Sequence, residues 1–222
     1  MLRYLLKFAV TQGHLRTSPL DGIKMFKEGP GKTRILAQTE EALYLKNANP
    51  RLKDIATLML NTGMRPEEVF TCKGENVNLK ERFIFVPKGK TRFARRTIPL
   101  TPDAYKVLKR RYRKGYLFPH KFDPNRPMVV CKSHRPLVDK LELDFRLYDL
   151  RHTFGSRMAM AGVDLPTLKE LMGHSSITLT MRYVHPTPEH KREAIDKLVA
   201  WNHPQNPPTV ERVETRTSFV RL

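Results

Sequence analysis

The sequence predicts a mainly helical α+β fold with one small antiparallel β-sheet. Apolar residues recur at helical spacing along most of the chain, and the segments end at glycines such as Gly63 and Gly173. Residues 76–100 differ, because FIFV (83–86) and ARRTIPL (94–100) are β-type runs. KGKTRF (88–93) between them is typical of a hairpin turn, so the two runs are predicted to pair.

The chain is strongly basic. Its 222 residues include 41 Lys and Arg against 22 Asp and Glu, a formal net charge of +19. The excess is spread along the chain, which indicates a polyanionic partner. Nucleic acid is favoured over an anionic membrane because no basic amphipathic helix stands out. A merely basic soluble protein is the alternative.

Several classes of protein are disfavoured. Cys72 and Cys131 form no CxxC pair, so neither a zinc site nor a disulfide framework is indicated, and a reducing compartment is expected. Arg3 and Lys7 interrupt the apolar first ten residues and no small-residue cleavage site follows, which argues against a signal peptide. No run approaches transmembrane length.

The chain is predicted to have three parts. Residues 1–30 are interpreted as the remnant of an otherwise missing N-terminal domain, consisting of its last helix and the start of a linker. The helix ends at Gly13, and the linker is EGPGKTR (28–34), with the domain boundary near residue 30. Residues 31–200 form the main domain. Residues 201–222 form a tail without sustained periodicity, interpreted as disordered. The alternative is that its apolar residues Val210, Val213, Phe219 and Val220 dock on a neighbouring protomer.

Three helices are predicted before the hairpin. Thr39 caps a helix that begins EEALYL. Pro50 opens a second helix with an almost wholly buried apolar set, which Gly63 ends. Pro66 opens the short helix PEEVFT, which places the Arg65 guanidinium at a helix start, free to point outward.

After the hairpin, Thr101 caps a helix with Tyr105, Leu108 and Tyr112 on one face. PLVDKLEL (136–143) is a short helix. Residues 148–184 divide into three helices, broken at Gly162 and Gly173, and the third is predicted to carry Tyr183. A last helix, opened by Pro188, has an apolar stripe made of Ala194, Ile195, Leu198 and Val199.

Two basic segments adjacent in sequence form the predicted DNA-backbone surface. The hairpin carries five cations with no acid among them: Lys88, Lys90, Arg92, Arg95 and Arg96. The following helix carries Lys106, Lys109, Arg110, Arg111, Arg113 and Lys114. Of the helix cations, Arg110 and Arg111 are the candidate DNA-binding residues. The alternative for both segments is a solvated charged face.

The candidate reacting residues are two arginines, a lysine, a histidine and a tyrosine. Metal-dependent phosphoryl transfer is disfavoured because acids such as Glu40, Glu67 and Glu193 are scattered on expected helix surfaces. A tyrosine can instead act as a covalent nucleophile at phosphorus. Arginine's planar fork is then suited to neutralising the phosphate.

In this order and spacing, these residues resemble the tyrosine recombinase (phage integrase) family. TGMRPEEV (62–69) resembles its first motif, with Arg65 as the first catalytic arginine. LRHTF (150–154) and LMGHSSITLTMRYVH (171–185) resemble the second, with Arg151, His174 and the nucleophile Tyr183. The hairpin is similar to the family's mobile β-turn, whose catalytic lysine is Lys90, with Lys88 as the alternative.

One residue departs from the family pattern. The family's HxxR often begins with histidine, whereas Tyr148 stands three residues before Arg151 here. Tyrosine is a poor proton acceptor at neutral pH, so proton transfer is expected to rest on His174 and Lys90.

The resemblance implies a catalytic domain with the DNA breaking-rejoining enzyme fold. Its activity would be site-specific DNA recombination or integration through a 3′-phosphotyrosyl intermediate, without metal or other cofactor. The implied assembly is a homotetramer on two double-stranded DNA sites, with a monomer in the absence of DNA. The implied location is the cytoplasm, on the nucleoid, for a bacterial or phage-encoded protein. A truncated, non-catalytic DNA-binding module and a type IB topoisomerase are the alternatives.

Overall fold

The computed structural model describes residues 2–24, 34–87, 95–129, 131–184 and 188–202. The chain divides into two units, residues 1–33 and 34–222. In the first unit, helix α1 (Leu2–Thr11) confirms the predicted opening helix. Arg3 Nη2 donates to the Ile23 carbonyl at 2.6 Å and so fixes the segment that follows α1. Apart from Arg34, the predicted linker lies outside the described residues, as does the predicted tail after Asn202, and the three-part division remains a prediction.

The second unit is built around helix α3 (Pro50–Thr62). As predicted, Pro50 opens the helix and Gly63 ends it in a left-handed conformation. Asn49 caps its first turn by accepting from the Leu52 N–H at 2.9 Å. The helix packs against α5 (Pro102–Arg111) and α7 (Asp149–Met160). Its buried side chains, such as Ile55 and Met59, therefore lie between elements from distant parts of the sequence.

Helix α2 (Gln38–Asn47) begins before the predicted cap. Thr39 lies inside the helix, and the N-cap residue is Ala37. The cap is formed by the Glu40 carboxylate and not by the Thr39 hydroxyl, because Glu40 Oε2 accepts from the Ala37 N–H at 3.0 Å. A carboxylate three residues after the cap satisfies a free N–H of the first turn, so the Thr39 prediction is wrong.

The β-sheet has three antiparallel strands in the order β1-β2-β3. The predicted pair is present as β2 (Phe83–Val86) and β3 (Arg96–Pro99), with Ile84 opposite Ile98 and Val86 opposite Arg96. A two-residue strand, β1 (Val77–Asn78), was not predicted. The turn between β2 and β3, residues 88–94, lies outside the described residues. The predicted mainly helical fold with a small antiparallel sheet is confirmed.

Helices α4 (Pro66–Phe70) and α5 begin at the predicted prolines, and α6 spans His134–Lys140. The predicted inner face of α5 is wrong in part. Its buried residues are Ala104, Val107 and Leu108, while Tyr112 lies beyond the helix end and is exposed. Because α5 stops at Arg111, Tyr112 does not continue the apolar stripe.

The C-terminal part contains α7, α8 (Leu165–Met172), α9 (Ile177–Met181) and α10 (Pro188–Asn202). The predicted division of residues 148–184 into three helices is confirmed with one correction. Helix α9 ends at Met181, so Tyr183 lies in the turn that follows, with its N–H donating to the Thr180 carbonyl at 3.0 Å. On α10, Ile195 and Leu198 are exposed. No helix in the described residues is long and apolar enough to cross a bilayer.

Candidate active site

Arg65 lies at the junction of α3 and α4, as the N-cap residue of α4. Its side chain is only 25% exposed, and the expectation that it points freely outward is wrong. Nη1 donates to Glu68 Oε1 at 2.9 Å, and Nη2 donates to the Gly173 carbonyl at 3.2 Å. These bonds orient the guanidinium before any substrate binds.

Glu68 is the carboxylate that holds the arginines in place. It is buried, and it accepts from the Arg65 N–H at 2.8 Å as well as from the Arg65 side chain. Arg96 donates to both of its oxygens, at 3.1 and 2.8 Å. Burial alone would raise the pKa of Glu68, but the Arg96 hydrogen bonds and charge, the Arg65 N–H bond and the Arg151 charge together outweigh it, and the pKa is lowered. Glu68 is therefore an ionised anchor.

Arg96 does not form part of the predicted DNA surface. It is buried, its Nε donates to the Leu171 carbonyl at 2.7 Å, and its charge is paired with Glu68. The expectation of an unpaired hairpin cation is wrong at this position. Side chains alternate between the two faces of a strand, and Arg96 shares the inner face of β3 with Ile98. That alternation was the available signal.

Arg151, on α7, is fully buried with 0% exposure. Its Nη1 donates to the Gly63 carbonyl at 2.6 Å, and its Nη2 donates to the Met172 carbonyl. The Nε–H is buried and has no hydrogen-bond partner within the described part of the chain. Arg151 thus connects the turn after α3 to the end of α8, and its Nε–H is still able to donate a hydrogen bond inside the site.

The turn at Gly173 requires a residue without a side chain. Gly173 has φ +62°, in the left-handed region, and a Cβ there would lie 2.7 Å from Arg96 Nη1. Its carbonyl accepts from Arg65, and the next residue is His174. A single glycine therefore lets α8 end where two arginines and the predicted histidine meet.

His174 is buried, and its Nδ1 lies 2.9 Å from Thr180 Oγ1. Burial and the charges of nearby arginines, Arg151 foremost, lower its pKa to about 3, so the imidazole is neutral at pH 7. If the Thr180 hydroxyl donates to Nδ1, then Nε2 carries the proton and is a neutral donor. The ring stacks on Tyr183, with centroids 6.0 Å apart and planes 9° from parallel.

Tyr183 is only 4% exposed. Its hydroxyl lies 2.8 Å from Nδ1 of His152, a residue that was not among the predicted site residues. Burial raises the pKa of Tyr183 to about 12, although the positive charges of Arg151, Arg182 and Arg65 act in the opposite direction. The predicted nucleophile is therefore a neutral phenol surrounded by cations and hydrogen-bonded to a histidine.

Tyr148 lies at the start of α7, where the family pattern has histidine. Its ring makes an edge contact with the ring of His152, with centroids 5.0 Å apart. His152 is one helical turn further along α7, so both residues are on one helix face. The structure thus brings together the predicted Arg65, Arg151, His174, Tyr183 and Tyr148.

The remaining predicted residues differ in their surroundings. Arg95 is exposed, with its guanidinium 5.5 Å from the centre of the Phe85 ring. Arg110 and Arg111 both bind the buried carboxylate of Asp54, on α3. They are not free surface cations as expected, because an acid inside a buried helix face recruits them. Lys88, Lys90 and Arg92 lie outside the described residues.

A cavity of about 640 Å³ lies beside His174. Its lining consists of Arg95, Arg96, Pro166, Lys169, Glu170, His174 and Ile177. Three of these residues are cationic and one is acidic, a lining suited to an anionic group. In the described part of the chain, no group of three or more His, Cys, Asp or Glu side chains is placed to hold a metal ion.

Comparison with known proteins gives a consistent result. The family model of the phage integrase family matches residues 33–190. The chain is 34% identical over 179 residues to the integrase of Escherichia phage P2, covering 80% of this chain and 50% of that protein. It is 33% identical to tyrosine recombinase XerA of Pyrococcus horikoshii, covering 67% of this chain and 55% of that protein. The chain spans about half the length of these relatives.

Solved structures show the same fold. The catalytic domain of bacteriophage HP1 integrase matches with a TM-score of 0.62 and 28% identity, covering 80% of this chain and all of that domain. The Tn1549 transposon integrase, solved with circular intermediate DNA, matches with a TM-score of 0.69 at 22% identity, covering 89% of this chain and 78% of that one. The chain therefore belongs to the phage integrase family and contains a tyrosine recombinase catalytic domain.

Proposed function

We propose that this chain cuts and rejoins double-stranded DNA at specific sites through a 3′-phosphotyrosyl intermediate. The observation that carries the proposal is that Arg65, Arg151 and His174, from three separate segments, lie around the buried phenol of Tyr183, which comes from a fourth. Family membership supports the same activity, and the Tn1549 integrase was solved in complex with DNA.

The site residues suggest the order of events. Tyr183 Oη attacks the scissile phosphorus, a new P–O bond forms, and the bond to the 5′-oxygen breaks. Arg65 and Arg151 bind the non-bridging oxygens, and His174 donates its Nε2–H to one of them. Lys90 protonates the leaving 5′-oxygen, an assignment that rests on the family resemblance. Attack by a second strand's 5′-hydroxyl reverses the step.

The sign of the electrostatics supports a phosphate ligand. Among the described residues, Arg65, Arg96 and Arg151 share one ionised carboxylate, Glu68, which leaves a positive excess. An anion that approaches Arg151 would also satisfy its buried Nε–H. Arg95 and the predicted hairpin cations Lys88 and Arg92 would contact the DNA backbone.

We also infer a homotetramer on two DNA sites, with a monomer in the absence of DNA. Three α10 residues, Ile195, Leu198 and Val199, expose apolar side chains that a neighbouring protomer could cover. Light scattering with and without DNA would test this. With DNA as substrate, the protein would act on the nucleoid in the cytoplasm, which microscopy of a fluorescent fusion would test.

A covalent-capture experiment tests the activity and identifies the target sequence at the same time. The chain is incubated in EDTA with a library of nicked duplexes of randomised sequence, and adducts that survive SDS are recovered and sequenced. We expect enrichment of one sequence class with the wild type and no adduct with Tyr183→Phe. Salt-sensitive binding without an adduct would instead indicate a non-catalytic DNA-binding module. Plasmid relaxation without strand exchange would indicate a topoisomerase.

A further inference from the structure

His152 is the one group in hydrogen-bond contact with the reacting oxygen of Tyr183 among the interactions of the described residues. Its Nδ1 lies 2.8 Å from Tyr183 Oη, and both side chains are buried. A phenol whose pKa is raised to about 12 is a weak nucleophile at pH 7 unless a base takes its proton during attack. The site therefore needs a proton acceptor at this oxygen.

The other candidates are placed less well. His174 lies parallel to the Tyr183 ring, and its Nδ1 is already bonded to Thr180 Oγ1. Tyr148 occupies the position of the family's histidine, and a phenol does not accept a proton at neutral pH. Its ring packs against the edge of His152 instead. One turn after the missing histidine, the same helix face thus presents another imidazole.

We propose that His152 is the base that accepts the Tyr183 hydroxyl proton as Tyr183 attacks the DNA phosphate. In this step the proton moves from Tyr183 Oη to His152 Nδ1, the Oη–P bond forms, and the bond from phosphorus to the 5′-oxygen breaks. The leaving oxygen takes its proton from the general acid, assigned to Lys90 above. His152 returns its proton to Tyr183 when the phosphotyrosyl bond is reversed. This role rests on the proposed recombinase function.

The surroundings keep His152 in the form that this step requires. Burial lowers its pKa to about 4, Asp149 opposes the shift, and the positive charges of Arg182, Arg151 and Arg146 add to it. The ionisable groups that face it also include Tyr148 and Tyr183. The imidazole is therefore neutral across the working pH range, with a free lone pair on Nδ1 when the proton is on Nε2. Such a low pKa also makes His152 a weak base in the resting site, and the negative charge of a bound DNA phosphate would raise that pKa and strengthen it.

A second tyrosine–histidine hydrogen bond occurs away from the candidate active site. Tyr44 Oη lies 2.7 Å from His134 Nδ1, and His134 Nε2 lies 3.2 Å from the Phe145 carbonyl. That pair is also buried, but it packs in the main hydrophobic core, whereas the charges of Arg65 and Arg151 act on Tyr183. The pair at His134 is therefore a matched structural control.

The test uses the site sequence recovered by covalent capture, in a nicked duplex with a 5′-bridging sulfur at the scissile phosphate. A thiolate leaves without protonation, so the step assigned to Lys90 no longer limits the rate. Single-turnover adduct formation by the 222-residue chain is measured from pH 5.5 to 9.5 at saturating DNA. The wild-type rate is expected to be flat. A rate rising about tenfold per pH unit, as expected for solvent hydroxide as the base, would overturn the proposal.

Variants separate the chemical role from a structural one. His152→Asn places an amide oxygen near the position of Nδ1 but cannot accept a proton. We expect its rate to fall about 100-fold at pH 7 and to increase with pH. His152→Ala should be partly rescued by added imidazole. His134→Asn should lower the melting temperature and keep the flat profile. A slower His152→Asn with a flat profile, or a wild-type rate, would overturn the proposal. Absence of any wild-type adduct would instead overturn the recombinase function itself.

Discussion

Glu68 and Arg96 are joined by two hydrogen bonds, of 3.1 and 2.8 Å, although they are 28 residues apart in sequence. The pair is buried and connects α4 to the inner face of β3. Because Glu68 also binds Arg65, the same carboxylate orients a predicted catalytic arginine. The stability of this unit and the geometry of the site are therefore linked through one residue.

Removing the charge of Glu68 should strongly destabilise the fold. In Glu68→Gln, the buried Arg96 guanidinium loses its counter-charge, so we expect the free energy of unfolding to fall by about 3–5 kcal/mol. Urea denaturation at pH 7.5 measures this. Asp103→Asn is the control, because the Asp103–Lys106 pair is exposed and should contribute less than about 1 kcal/mol. Equal effects of the two substitutions would contradict the anchoring role.

Gly173 should tolerate no side chain. Gly173→Ala combines an unfavourable left-handed backbone with a Cβ that would lie 2.7 Å from Arg96 Nη1. Gly162→Ala is the matched control, because Gly162 has φ +79° but its Cβ would lie 3.8 Å from Lys197 Nζ. The control should lose about 1–2 kcal/mol, the cost of the backbone conformation alone. We expect a larger loss, and slower adduct formation, at Gly173, and similar losses at both positions would contradict the close contact.

Local sequence signals were sufficient where one residue determines the outcome. Pro50 and Gly63 bound α3 as expected, because proline fits a first helical turn and glycine adopts the left-handed cap. FIFV and the run that follows it pair as strands. The family motifs also indicated residues that the fold brings together, although no spacing rule states that Arg151 would be fully buried.

Partnerships between distant residues could not be predicted from local patterns. Glu68 resembles its surface neighbour Glu67 in sequence, and only the assembly of α4 with β3 gives it two arginines. Asp54 recruits Arg110 and Arg111 for the same reason. Such pairs depend on the three-dimensional arrangement, which a count of basic residues along the chain does not contain.

Acid should destabilise the chain already at pH values well above those at which carboxylates titrate. The folded-state pKa values of His174 and His152 are lowered to about 3 and about 4, whereas an unfolded histidine titrates near 6.5. Their contribution to stability is therefore fully present above pH 6.5 and is lost as the pH falls towards these folded-state values. Each histidine can reduce the free energy of unfolding by up to about 1.4 kcal/mol per pH unit.

Urea denaturation at pH 7, 6 and 5 checks this dependence. The pKa of Glu68 is also lowered, so its contribution to stability is fully present above the unfolded glutamate pKa of about 4.5 and is lost only below that pH. Glu68 is therefore not responsible for a loss of stability between pH 7 and 5. His174→Gln removes one titrating group, so its stability should fall less steeply with acid than that of the wild type. An unchanged slope in His174→Gln would show that the neutral imidazole is not maintained by the fold.

Two arginines that look alike in the sequence should affect different properties, one DNA binding and the other stability. Arg95 is exposed, so Arg95→Gln should reduce the slope of log K against log salt by about 0.9 and change stability by less than about 0.5 kcal/mol. Arg111 binds the buried Asp54 with its Nε at 2.6 Å. Arg111→Gln should lower the free energy of unfolding by about 1.5–3 kcal/mol and leave the salt slope unchanged.

Fluorescence anisotropy from 50 to 300 mM salt on the recovered site, together with urea denaturation, measures both quantities for each variant. Arg110→Gln is informative as a third variant, because its guanidinium also binds Asp54 while much of its side chain is exposed. If it lowers stability without changing the salt slope, the end of α5 supports α3 and does not contact the DNA backbone. If all three variants reduced the salt slope equally, Arg110 and Arg111 would be able to leave Asp54 and bind a DNA phosphate instead. Both arginines would then belong to the DNA-binding surface.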